Sequence, residues 1–112
     1  MNDLIEYKDN LSTTETPTGR TFLGKPTYTK VVGPTTSATS NSSTYQKLNA
    51  LISGYTDVQN VNYFLSATIV DSSTGGTETP PADISSGNMR IACDKIHPVG
   101  SYIIIEYTKS TD

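Results

Sequence analysis

The segment "YIIIEYTK", Tyr102–Lys109, constrains this fold more than any other stretch of the chain. Side chains alternate across a β-strand. In that frame Ile103, Ile105 and Tyr107 share one face, and Tyr102, Ile104, Glu106 and Thr108 share the other. The first face is apolar and requires a core. The second begins apolar and turns polar. A strand of this kind is either central in its sheet or packs its second face on a neighbouring subunit.

Other segments repeat the strand signature. In Val61–Val70, "VNYFLSATIV", strict alternation puts Val61, Tyr63, Leu65, Ala67 and Ile69 on an apolar face. Asn62, Phe64, Ser66, Thr68 and Val70 fall on a mixed one. Met89, Ile91 and Cys93 alternate with Asn88, Arg90, Ala92 and Asp94. Residues 19–32 read as a hairpin, with Gly24 free to take positive φ and Pro26 at a strand start. Residues 33–44 hold almost nothing to bury and read as a loop or a solvent-exposed edge, and 71–87 carry turn chemistry throughout and read as a long loop. Between them Leu48, Leu51 and Ile52 fit a helical spacing, but the stretch is short. Strand, turn and one helical turn near residues 56–59 is the preferred reading. No helical period extends beyond about two turns. The pattern gives an all-β fold, a sandwich or barrel-like arrangement of short antiparallel strands.

Composition narrows the rest. The 112 residues allow one domain, and roughly a quarter of them are Ser or Thr. A core this thin favours help from a partner subunit, hence a homo-oligomer. Net charge is −3, with Lys and Arg scattered from Lys8 to Lys109. Nucleic acid is therefore not an expected partner. No apolar run approaches the ~20 residues of a membrane span, and the N-terminus lacks the pattern of a secretory signal.

Candidate chemistry is sparse, and no catalytic residue, metal ligand or cofactor is assigned. The single His, His97, precedes Pro98 and reads as a surface turn residue with no nucleophile beside it. The single Cys, Cys93, reads as a small buried hydrophobe. The two are four apart, but a strand-to-turn path does not aim them together. "DSSTG", residues 71–75, lacks the carboxylates of a calcium loop, and "TGGT", 74–77, lacks the Lys of a phosphate loop. Seven tyrosines remain. Most fall in strands and read as packing. Tyr45 and Tyr55, near loops, are the candidates for exposed contacts, as in a carbohydrate-binding module with loops 33–44 and 71–87 forming the sugar site. On the mixed strand faces, Tyr102, Ile104, Phe64 and Val70 are the candidates for an oligomer interface.

Two ends of the chain carry a resemblance. Ser12–Val32, "STTETPTGRTFLGKPTYTKVV", resembles the hairpin "G-T-[WF]-x-x-G-K-P-x-Y-x-K" that begins a recurrent phage tail-fibre and virion-appendage module. Gly19, Phe22, Gly24, Lys25, Pro26, Tyr28 and Lys30 match, although Arg20 intervenes and the turn is one residue shorter. That module closes with "N-x-R-I" and "Y-x-x-x-E-Y-T-K-x-x-D" strands. Asn88, Arg90 and Ile91 match the first; Tyr102, Glu106, Tyr107, Thr108, Lys109 and Asp112 match the second. The middle, 33–87, is weakly matched.

The resemblance implies a small antiparallel β-sandwich, jelly-roll-like, over residues 17–112 and assembled as a homotrimer. It implies a non-enzymatic virion structural role, as a head-fibre or tail-fibre subunit or capsid decoration aiding host-surface adhesion. Residues 1–16 would then form an arm that docks on other virion proteins. The expected location is the virion, after synthesis in the host cytoplasm, with a host-surface glycan as a further partner.

Overall fold

The structure, a computed structural model, describes residues 13–41 and 44–112. The arm expected over residues 1–16 lies outside it except for residues 13–16. The radius of gyration is 13.4 Å. A folded chain of this length has a value of roughly 13 Å and an unfolded one roughly 30 Å, so the Ser/Thr-rich composition does not prevent folding.

Among the described residues, eight strands and one helical turn follow in order: β1 (Thr16–Phe22), β2 (Lys25–Val32), β3 (Gln46–Lys47), α1 (Leu48–Leu51), β4 (Val61–Val70), β5 (Thr77–Glu78), β6 (Ala82–Ser85), β7 (Asn88–Ile91) and β8 (Tyr102–Lys109). They form two antiparallel sheets, one of five strands ordered β1-β2-β8-β4-β5 and one of three ordered β3-β7-β6. The all-β reading is therefore what the chain adopts. The β1–β2 hairpin turns through Leu23 and Gly24, both at positive φ (51° and 80°). This is the twist-matched two-residue turn that favours glycine. Arg20, the residue that interrupts the hairpin motif, is absorbed by a bulge between Pro17 and Thr21.

β8 is central, paired with β2 on one side and β4 on the other. Ile103, Ile105 and Tyr107 are fully buried. They join Val32, Phe64, Ala67 and Ile69 from the same sheet, Met89, Ile91 and Cys93 from the facing side, and Leu48, Leu51 and Ile52 around α1. The second sheet thus covers one face of the first.

Four expectations are corrected. In β4 the register slips between Val61 and Phe64, and again between Phe64 and Ser66. A one-residue bulge exchanges the two faces of a strand. Phe64 therefore points into the core beside Tyr107, while Tyr63 is exposed, and the strict alternation read from Val61 onward fails at its first half. The helical turn falls at Leu48–Leu51 and not near residues 56–59, because Leu48, Leu51 and Ile52 bury together there. The loop expected over 71–87 contains β5 and β6. These strands arise from backbone pairing with β4 and β7, which needs no apolar alternation. Finally, the loop 33–44 does bury side chains: Thr35 and Thr39 are 2% and 3% exposed.

Candidate functional site

Those two threonines help build an organised polar region among the described residues. Thr35 accepts from the Gly100 N–H and donates its own N–H to the Ser101 carbonyl, at 2.9 and 2.8 Å. The Thr39 hydroxyl donates to the Lys95 carbonyl and accepts from the His97 N–H, both at 2.8 Å. From the other side, Ser72 donates its N–H to the Ser101 hydroxyl and its hydroxyl to the Val99 carbonyl, both at 3.1 Å. Short hydroxylated side chains thus satisfy buried backbone groups that no sheet ladder serves. They fix the loop between β7 and β8, and with it His97.

His97 is 4% exposed and not the surface residue that its place before Pro98 suggests. Its Nδ1 lies 2.9 Å from Asp71 Oδ2, and its Nε2 lies 2.5 Å from Glu78 Oε1. A neutral imidazole has only one N–H. Both ring nitrogens are engaged by carboxylates, so the ring is held from two sides. Asp71 stands just beyond β4, and Glu78 is the last residue of β5, a strand too polar to recognise from its sequence. The other Asp71 oxygen, Oδ1, accepts from the Ser73 N–H and hydroxyl and from the Thr74 N–H. The Ser73 hydroxyl, helped by His97 and those amides, holds the Asp71 carboxyl far below the usual carboxylate range against the opposing effect of burial. For Glu78, burial is the largest influence and pushes upward. The Asp94 N–H at 2.8 Å and His97 together outweigh it, and the carboxyl titrates below its ordinary value.

Cys93 completes the cluster. Its Sγ, a Glu78 carboxylate oxygen and a His97 ring nitrogen all lie within 4.8 Å of one another. The expectation that Cys93 and His97 are not aimed together is thus overturned, because the chain doubles back between them. Burial, and then the nearby Glu78 charge, push the Cys93 thiol up to about 11, so it is neutral at physiological pH. A cavity of about 180 Å³ opens on this cluster, lined by Asp71, Thr74, Thr77, Glu78, Lys95 and His97 among others. Among the described residues, no Phe or Tyr lines it.

The residues that carry the resemblance form a second assembly. Although they come from opposite ends of the sequence, β2 and β8 are neighbours. The Tyr28 hydroxyl donates to Asp112 Oδ2 at 2.8 Å, and Lys25 Nζ donates to the Asp112 main-chain oxygen at 2.6 Å. The Tyr28 and Tyr107 rings stack at 6.1 Å, with Lys109 Nζ 5.1 Å from the Tyr28 centroid. Glu15 accepts from both the Tyr107 hydroxyl and Lys109 Nζ. For Glu15, burial pushes upward, but the Lys109 and Tyr107 donors prevail and its carboxyl titrates below the usual range. A depressed folded-state value means that Glu15 contributes stability above its unfolded value of roughly 4.3, and that this is lost as pH falls through the folded value. The urea midpoint is accordingly expected to decline between about pH 6 and about pH 3, and Glu15→Gln to decline less over the same range. Parallel declines in the two proteins would show that Glu15 plays no part.

The remaining sequence candidates separate. Tyr102 and Ile104 lie half-buried on the face of the large sheet opposite the core. Val70 is across from Tyr102 and is buried. Phe64 is a core residue, so it is withdrawn from that face. Tyr45 is exposed, with the Arg90 guanidinium 4.6 Å from its ring centroid. Tyr55, expected to be exposed, packs against the core, because the turn after α1 folds it inward. Burial, then Asp57, push its hydroxyl up to about 12. The sequence missed Asp71, Glu78 and His97 as a unit. No local spacing signals it, since the three come from separate loops and a two-residue strand. No protein-family model, curated protein or solved structure matches this chain.

Proposed function

We propose that this chain is a non-enzymatic structural subunit of a bacteriophage virion, a head-fibre or tail-fibre module that self-associates, as a trimer, on the particle surface. In this reading the two sheets form a jelly-roll-like sandwich, and the subunit aids adhesion to the host surface. The observation that carries it is the meeting of the two resembling segments. Lys25, Tyr28, Tyr107, Lys109 and Asp112 bond to one another and so act as structural closure, which gives the shared motif a mechanical purpose. The outward face of the large sheet supplies the self-association surface. There Val31, Ile104 and Thr68 stand in register across β2, β8 and β4, beside Tyr102.

Light scattering of the purified chain should give about three times the chain mass, and Ile104→Asp should return it to one. A charge set into an apolar contact without a partner costs several kcal/mol, enough to dissociate a small interface. Circular dichroism checks that the variant remains folded. A monomeric wild type, or an Ile104→Asp protein of unchanged mass, would remove the self-association surface. Mass spectrometry of purified particles tests the virion assignment directly: the chain should be found in them, and its absence would refute the assignment.

A further inference from the structure

We propose that Cys93, His97 and Glu78 form a binding site for a zinc-class divalent metal ion, with Asp71 orienting the histidine. Four observations converge on it. The donors are a thiol, an imidazole and a carboxylate, the set that borderline-soft ions such as zinc prefer. Their ligand atoms already lie within 4.8 Å of one another. A tetrahedral ion with bonds of 2.0–2.3 Å needs them about 3.5 Å apart, so shifts of about an ångström close the site. Asp71 Oδ2 holds His97 Nδ1 at 2.9 Å, and Asp71 is itself fixed by Ser73 and Thr74. That leaves Nε2, the nitrogen facing Glu78, to bind the metal, in the carboxylate–histidine–metal pattern that sets the tautomer. Glu78 and His97 also line the adjoining cavity of about 180 Å³, which has room for a water as the fourth ligand.

The charge balance agrees. In the metal-free protein Nε2 and Glu78 Oε1 are 2.5 Å apart and share a hydrogen bond, which the ion would replace. Ligation takes the sulfur as thiolate and the imidazole nitrogen as a lone-pair donor, so any proton they carry passes to solvent. The bound state then sets one dication against the Cys93 thiolate and the Glu78 and Asp71 carboxylates. The exposed Lys95 ammonium at the cavity rim offsets part of the excess negative charge. This site is independent of the virion reading, and either can fail without the other.

Cobalt(II) is the probe. Because the chain holds a single cysteine, a thiolate-to-cobalt charge-transfer band can come only from Cys93. Titrating the full chain with Co²⁺ should produce that band together with the visible absorption of a four-coordinate ion, and Zn²⁺ should bleach both. Cys93→Ser should abolish the charge-transfer band while the protein stays folded by circular dichroism. Asp71→Asn should keep the band but weaken cobalt binding roughly 10–100-fold, the usual effect of losing an orienting carboxylate. A wild-type protein with no such band, and with a thermal midpoint unmoved by Zn²⁺, would overturn the proposal. So would cobalt absorption that is the same in Cys93→Ser.

Discussion

Replacing His97 with alanine is expected to cost the metal-free protein roughly 3–5 kcal/mol of folding stability, the usual penalty for leaving a buried charge without its partner. The side chains of His97, Asp71 and Glu78 are only 5%, 12% and 15% exposed. Without the imidazole, two carboxylates remain in a poorly exposed pocket, each missing a hydrogen bond. A domain of this size has only about 5–15 kcal/mol in total, so the loss is a large share of what holds it folded. At about 4–8 °C per kcal/mol, the thermal midpoint should fall by roughly 12 °C or more. Arg20→Ala provides the contrast. Its 3.0 Å pair with Glu106 has the Arg side chain 66% exposed, and such pairs are worth about 0–1 kcal/mol. Urea unfolding in the presence of a chelator measures both variants. Equal, small losses would mean that the His97 cluster is solvated and structurally idle.

Ile105→Ala is expected to cost roughly 2–5 kcal/mol, and Ile104→Ala well under half of that, although the two residues are adjacent and chemically identical. Ile105 is fully buried between Lys30 of β2 and Ala67 of β4 and faces the second sheet. Truncation there leaves a cavity that rigid strands on both sides cannot close. Ile104 faces the other way and is half-buried, so its truncation removes area but opens no void. Urea midpoints of the two variants, compared at a concentration where both are monomeric, measure the difference. If the two losses are equal, the outward face is packed as tightly as the core, and the division of β8 into two faces is wrong.

That division was legible in the sequence. Ile103, Ile105 and Tyr107 are buried as alternation requires, and so are Met89, Ile91 and Cys93. The β1–β2 hairpin was legible through Gly24 and Pro26. β4 was legible as a strand but only partly as a pattern of faces. A bulge is a relation between two strands, and nothing in "VNYFLSATIV" alone states where the extra residue will sit. Phe64 was misassigned for that reason.

The candidate site was hidden for a related reason. Asp71, Glu78, Cys93 and His97 are scattered over 27 residues, and each in its local context reads as turn, loop or strand filler. The sequence by itself determined an all-β chain whose Tyr102–Lys109 strand has one core-facing side, because side-chain alternation is a local property wherever no bulge interrupts it. Only the tertiary structure decided that a polar segment such as Thr77–Glu78 becomes a strand, that Thr35 and Thr39 are buried, and that His97 ends between two carboxylates. Those outcomes depend on which backbone groups and charges other loops leave to be satisfied, and that is settled when the sheets meet.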